Sequence, residues 1–411
     1  MLEGILTSPN PQFKDRYAVS PSPTERTLFL RHLKDQGYAQ GTLRSKAYEL
    51  LIIVERMGLM IGPDSFTKEQ IDAAADRAGY LDRRRNRARY RYTSLARRWL
   101  RFCGRFVEPA KAPMPFSAHI DEFASWMADE RGLASSSIQN RIYFLRSFLA
   151  DWHSSGRALK EIGVDDIDDY LIERTGRWCR KSMGVKAGDL RAFFQYAGRR
   201  GWCSPKLANL IETPPASPRE RLPSAVTWEQ VRKMVEAIPR RKPTDLRDRA
   251  ICHLLAVYGL RAGEVATLLL GDVDWDHDQI RIRRAKTRNA AISPLAPTVG
   301  NAILDYLRKG RPKIEKPALF LQAYAPFRPM TTTAVGHVVM RRLKRFNLSL
   351  PRQGAHCLRH ACAIRLLDQG LTLKEIGDQF GHTNAATSQI YARVDLRQLR
   401  NVGNFDMGGL L

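Results

Sequence analysis

The stretch QIRIRRAKTRNAAISPL, residues 279–295, sets the fold class of this 411-residue chain. Its first half alternates, with Ile280 and Ile282 two residues apart, so both side chains fall on one face of a strand. The stretch reads as a small antiparallel hairpin. On both sides of it the apolar residues return at helical steps. Upstream, TWEQVRKMVEAI carries Thr227 as N-cap and Gln230 at the capping-box position, and the helix DLRDRAICHLLAVYGL follows. A short helix starts after Arg261 to Gly263. Downstream, helices are expected around 299–307, 333–346, 358–367 and 373–379. The fold class expected is mainly α with a small antiparallel sheet set against a helical body.

Two proline-rich stretches divide the rest of the chain. VEPAKAPMPF holds Pro109, Pro113 and Pro115, and ETPPASPRERLP holds Pro214, Pro215, Pro218 and Pro223. Proline removes a helical donor and restricts its neighbour, so both read as linkers. The expected organisation is a helical unit at 1–108, a second at 116–205, a linker at 206–224, a mixed domain at 225–400 and a tail at 401–411. In the second unit Ile138, Ile142, Leu145, Phe148, Leu149 and Trp152 form an amphipathic stripe, Ser135 to Ser137 offer an N-cap and Gly156 a stop. A shift of 95 residues aligns Gly37 with Gly132, Tyr48 with Tyr143, Leu50 with Leu145 and Leu95 with Leu190. A duplicated helical domain is one reading, and another small bundle of similar periodicity is the other.

The charge balance points to a partner. Sixty-seven Lys and Arg against 42 Asp and Glu give +25, far beyond what solubility needs, and a polyanion, DNA in the first place, is the expected ligand. The densest patch is RRRNRARYRYTSLARRWLRFCGR, residues 83–105, with ten arginines and no acid. Such a run repels itself unless a polyanion screens it. Arg83, Arg84, Arg85, Arg87, Arg89 and Arg91 are therefore candidates for contact with a DNA backbone, while Tyr90, Tyr92 and Trp99 are expected to pack their helix.

The longest apolar run, Ile251 to Leu260, is too short to span a bilayer, and the first residues show no apolar secretion segment. A cytoplasmic, DNA-associated location without a membrane is expected. The six cysteines, at 103, 179, 203, 252, 357 and 362, form no CxxC pair and have no histidine at zinc-finger spacing, which argues against structural zinc. No cofactor or metal is expected.

The candidate chemical groups of the last domain are Arg261, Lys286, His356, Arg359, His382 and Tyr391. Arg261 lies in YGLRAGEV, where Gly259 and Gly263 permit a tight turn and Glu264 falls in the next first turn. His356 and Arg359 are three apart in AHCLRHACAIRLL, so one helical face presents both to a single phosphate. His382 follows Gly381 at a helix boundary, and Tyr391 lies nine residues on. No carboxylate cluster accompanies them. Glu264, Asp272 and Asp274 read as cap and turn residues.

Four stretches, GLRAGEVATLLLGDVDW, RRAKTRNAAISPL, HCLRHACAIRLLDQG and IGDQFGHTNAATSQIYARVD, resemble the tyrosine recombinases, the phage-integrase-like site-specific recombinases, in order, spacing and context. The resemblance covers 225–400 and, through a helical core-binding domain, 116–203. It implies that Arg261 and Arg359 clamp the phosphate, that Lys286 is the hairpin lysine, His356 the first residue of H-x-x-R, His382 the histidine after the glycine, and Tyr391 the nucleophile. Departures are Ala285 before Lys286 in place of a turn glycine, and Arg283, Arg284 and Arg288 as rival cations. Phe380 stands where a small aliphatic is usual, and Arg393 where a histidine often lies two after the tyrosine.

The chemistry of the residues agrees with those roles. Two fixed arginines can stabilise charge on the non-bridging oxygens of an attacked phosphodiester. A phenol needs a base, for which His356 is the candidate, and the leaving 5′-oxygen needs a proton, which Lys286 can give. The expected activity is cleavage and rejoining of double-stranded DNA through a 3′-phosphotyrosyl link, in a homotetramer on two sites, with or without accessory proteins, for a mobile element. A type IB-like topoisomerase and a non-catalytic DNA-binding accessory protein are the alternatives. Cys357 and Cys362, close to the site in sequence, are expected to pack.

Overall fold

The structure, a computed structural model, describes residues 11–58, 65–77, 86–109, 114–213, 226–284, 290–348 and 354–381, without the side chains of Asn86 and Arg87. It divides into two compact units, Met1–Val107 with Leu222–Leu411, and Glu108–Arg221. Among the described residues no helix is long and apolar enough to cross a membrane.

The N-terminal part of the first unit is helical: α1 (Pro11–Val19), α2 (Pro23–Asp35), α3 (Gln40–Met57), α4 (Lys68–Arg77) and α5 (Asn86–Phe102). Its core gathers Phe29, Leu30, Leu50, Ile53, Val54 and Trp99, all 1% exposed or less. In α5 the inward positions are Tyr92, Leu95, Ala96 and Trp99, the three-and-four spacing of one helix face. Tyr90 lies off that stripe and is 69% exposed, so it does not pack the helix as expected.

The second unit holds α6 (Ser117–Asp129), α7 (Ser135–His153), α8 (Val164–Ile172), α9 (Arg180–Arg199) and the single turn α10 (Leu207–Leu210). Ile138, Leu145, Phe148, Leu149 and Trp152 of the predicted stripe are buried, and Ile142 packs at its edge. The N-cap of α7 is Ala134, extended and without a side-chain cap bond; Ser135 to Ser137 form the first turn instead. Helices α6 to α9 begin 94–96 residues after α2 to α5 respectively. At that spacing buried apolar residues coincide: Phe29 with Phe123, Leu33 with Met127, Leu43 with Ile138, Val54 with Leu149, Trp99 with Phe194.

The remainder of the first unit is built around α12 (Pro243–Val257), which packs against α14 (Pro297–Lys309), α15 (Thr332–Arg345) and α16 (Ala355–Asp368), with α11 (Trp228–Glu236), α13 (Ala262–Ala266) and α17 (Leu373–Phe380) around them. Thr227 caps α11 through its Oγ1, and Gln230 returns the bond, the box expected from sequence. The sheet has three antiparallel strands, not two: β1 (Val273–Asp274), β2 (Gln279–Arg283) and β3 (Ala290–Pro294), with Val273 opposite Ile280 and Ile282 opposite Ala291. Ile280 and Ile282 are both buried, each adding about 1.5–3 kcal/mol of hydrophobic stabilisation.

Four buried charges tie α12 to α15. Arg342 donates to Asp245 and to Asp248, each at 2.8 Å, and Arg247 donates to the other oxygen of Asp248 at 2.9 Å. Two buried carboxylates meet two buried guanidiniums, and the more exposed Arg341 approaches Asp248 at 3.7 Å.

Candidate active site

Helix α12 ends at Val257, and the chain turns through Gly259 into α13. Gly259 has φ +61°, and a Cβ there would lie 2.4 Å from Cε1 of Phe380. Only glycine accepts both the left-handed backbone and the flat approach of that ring. Gly263 has no such requirement; it sits inside α13 facing Thr332.

Arg261 is the N-cap of α13. Its backbone N–H and its Nη1 both donate to the Glu264 carboxylate, each at 2.8 Å, and Glu264 is buried. The other arm, Nη2, reaches the carbonyl of Gly381 at 3.3 Å. Glu264 is thus the cap residue that its place in the sequence suggested, and it fixes the direction of the guanidinium as well. Asp272 accepts from the Leu269 N–H and from Arg283, and Asp274 from the N–H groups of Asp276 and His277, the turn roles expected of them.

Arg359 projects from α16 and is 4% exposed. Its guanidinium lies over the Phe380 ring at 4.2 Å and donates to the carbonyls of Gly259 and, at 3.0 Å, Phe380. Phe380, the departure noted in the sequence, therefore works as a plate between Gly259 and Arg359. His356 stands one turn earlier on α16, exposed, with its ring 6.4 Å from that of His360. Burial, then repulsion from His356 and Arg359, pulls His360 down to about 4, so it is neutral at physiological pH.

A third arginine joins them. Arg284, just past β2, donates to the carbonyls of Asp378 and Gln379. Burial lowers its pKa, Arg261 beside it adds to the lowering, and Glu264 opposes it. In the sequence Arg284 stands out only as a rival of Lys286. A signal was present: with Ile280 and Ile282 inward, the period of two puts residue 284 on the same face.

Arg284, Arg359 and Arg261 thus occupy the four successive carbonyls 378–381 at the C-terminal end of α17. They belong to the C-terminal end of a helix, which carries about half a negative charge, and that of Asp378 also accepts from the Gly381 N–H. A left-handed Gly381, φ +62°, ends the helix there, one residue before His382. Lys286, His382 and Tyr391 lie outside the described residues.

The nearby thiols are inert. Cys362 donates to the Val257 carbonyl and is pushed up to about 12 by burial; Cys357 donates to Gly354 and is also raised by burial. Among the described residues no group of three or more His, Cys, Asp or Glu could hold a metal ion.

The arginine run is less bare than the sequence suggests. Asp76 of α4 takes Arg89 in two bonds, of 2.7 and 3.2 Å, and Glu25 of α2 takes Arg105 at 3.2 Å. Arg98 donates to Tyr38 and Gln36. The acids missing from the run come from neighbouring helices, which leaves Arg91, exposed and without an ion pair among the described residues, as the better of the two described candidates. Arg83, Arg84 and Arg85 lie outside those residues, as does the side chain of Arg87.

Comparison with known proteins places the chain in a family. Residues 225–397 match the Phage integrase family. The chain is 33% identical over 298 residues to the integrase/recombinase y4rA of Sinorhizobium fredii, covering 72% of each. It is 28% identical to the tyrosine recombinase XerD of Ralstonia nicotianae, over 72% of this chain and 96% of that one. Among solved structures, XerH site-specific recombinase bound to palindromic difH substrate shares the fold, with a TM-score of 0.57 and 19% identity over 72% of this chain and 98% of that one. With two arginines brought together from α13 and α16, on a mainly helical domain with a three-stranded sheet, this chain belongs to the tyrosine recombinases, enzymes that cut and rejoin DNA strands.

Proposed function

We propose that the chain is a site-specific recombinase acting on double-stranded DNA through a covalent 3′-phosphotyrosyl link to Tyr391, in the service of a mobile element. The observation that carries this reading is the meeting of Arg261 and Arg359 at carbonyls 380 and 381, one residue from His382. A phosphate placed there faces cations held rigid before it arrives, and such preorganised charge stabilises the in-line transition state without reorganisation.

In this mechanism the Tyr391 oxygen attacks phosphorus as His356 takes the phenolic proton. The P–O5′ bond breaks, and Lys286 protonates the leaving 5′-oxygen. His382 hydrogen-bonds a non-bridging oxygen. The new ester keeps the free energy of the old one, so a 5′-hydroxyl from another strand can reverse the step without a nucleotide cofactor. Exchange between two duplexes requires four such sites, hence a homotetramer on two DNA sites, with accessory proteins where the sites demand them.

The matched helix starts and buried positions of α2–α5 and α6–α9 support a further part of the reading, that residues 1–108 are a second copy of the helical domain at 116–205 and add a second grip on DNA. The test of the whole proposal is covalent capture. The protein is incubated with sheared genomic DNA of its source organism, denatured, and its adducts are sequenced. One recurring site, with adducts absent in Tyr391→Phe, is expected; no adduct, or adducts that survive the substitution, refutes it. Rapid relaxation of any supercoiled plasmid would show a topoisomerase instead.

A further inference from the structure

We propose that Arg284 is a positioning residue that locks the end of β2, two residues before Lys286, to the C-terminal end of α17, which closes one residue before His382. The inference rests on the reading of the site given above. Arg284 stands two residues before Lys286, and its guanidinium holds the carbonyls of Asp378 and Gln379, three and four residues before His382. One side chain thus joins the two segments that lead to both groups.

Two observations separate this from a chance surface contact. A Cβ on Gly381 would lie 1.9 Å from Nη1 of Arg284 and 2.7 Å from its Cδ, so the arginine fills the space directly over the turn that ends α17. The position is also electrostatically expensive: Arg284 is partly desolvated and lies beside Arg261. At residue 284, on the inward face of β2, an apolar side chain would satisfy the sheet. A cation there is tolerated because the helix terminus supplies negative potential, and its effect is to fix the end of α17.

The consequence is mechanical. Without Arg284 the end of β2 loses its anchor on α17, and the two segments that lead to Lys286 and His382 are no longer tied together. DNA binding, spread over many phosphates, does not depend on that geometry.

The experiment uses the full chain and the site obtained by covalent capture, as a nicked suicide duplex, and reads single-turnover adduct formation, half-saturating DNA concentration and thermal midpoint. Arg284→Ala is expected to slow adduct formation by about 10–100-fold, as loss of positioning does, with half-saturation changed less than about two-fold. Arg284→Lys, able to reach one carbonyl, should recover part of the rate. Gly381→Ala should be slow in the wild-type background and cost less in Arg284→Ala, where the clash is gone and only the strain of alanine at φ +62° remains. A wild-type rate in Arg284→Ala, or a loss matched by weaker DNA binding, overturns the proposal. Should the alanine variant unfold, Arg284→Met keeps the aliphatic stem and is judged by the same outcomes. If the wild-type chain itself forms no Tyr391-dependent adduct, the proposed function fails; if it does and Arg284→Ala equals it, only the role of Arg284 fails.

Discussion

Replacing Gly259 with alanine tests the packing on which Arg359, one of the two arginines proposed to grip the phosphate, depends. The added methyl would stand 2.4 and 2.5 Å from two carbons of the Phe380 ring, and the backbone at φ +61° is one that alanine adopts at a cost of about 1–2 kcal/mol. Overpacking adds roughly 1–3 kcal/mol, because Phe380 is 2% exposed and has Arg359 on its ring. The sum is about 2–5 kcal/mol, which for a domain of this size lowers the thermal midpoint by roughly 5–20 °C. Activity should fall further than stability, since the displaced ring carries Arg359 with it and the Gly259 carbonyl is one of that arginine's acceptors. Scanning calorimetry of the full chain gives the first quantity, and single-turnover adduct formation below the transition gives the second. Adding Phe380→Leu should remove the steric part and leave the backbone part, so the double variant regains stability relative to Gly259→Ala alone. If Gly259→Ala is as stable and as active as wild type, or if Phe380→Leu makes it worse by the full sum of the two losses, the packing argument is wrong.

Arg342→Met leaves Asp245 without its ion pair and Asp248 with Arg247 and the more exposed Arg341, and is expected to cost about 3 kcal/mol or more, read as a lowered urea midpoint. His253 is held down to about 4 by burial, with Arg249 and Arg240 adding repulsion. Since the unfolded chain binds that proton near pH 6.5, stability is whole above that value and lost as pH falls toward 4; His253→Leu should flatten the fall in midpoint over this window, and an unchanged slope would reject it. Replacing Arg84, Arg87 and Arg91 by alanine should weaken binding to all DNA sequences alike and reduce the salt slope by about 0.9 for each phosphate no longer neutralised, with an unchanged slope ruling out a grip on the DNA backbone.

How far the sequence reached depended on whether the information was local. Helices α11 to α17 and the hairpin could be read because periodicity, the Thr227–Gln230 box and the Ile280–Ile282 alternation are short-range. The third strand was missed because Val273–Asp274 is two residues long and exists only by pairing with β2. The serines before α7 misled because a good cap residue was present and the backbone began the helix one residue earlier. Arg261 and Arg359 stood out through their motif, but their acceptors did not, since Gly259, Phe380 and Gly381 are ordinary residues until the chain is folded. The screening of Arg89 by Asp76 was likewise invisible, the two being 13 residues apart and on different helices.

The same domain holds two arginine clusters whose chemistry differs in one respect. In the first, the buried Arg247 and Arg342, with the more exposed Arg341 at 3.7 Å from Asp248, face the buried carboxylates Asp245 and Asp248. In the second, Arg261 meets the carboxylate of Glu264, while Arg284 and Arg359 donate to backbone carbonyls. A carboxylate holds an arginine by cancelling its charge; a carbonyl holds it by dipole and leaves the charge in place. The carbonyl bonds of Arg284 and Arg359 therefore hold these cations at a helix terminus without cancelling their charge. A phosphodiester in its transition state develops negative charge that cations held in this way can stabilise, and that is the ground for proposing the DNA chemistry at the carbonyl-held cluster.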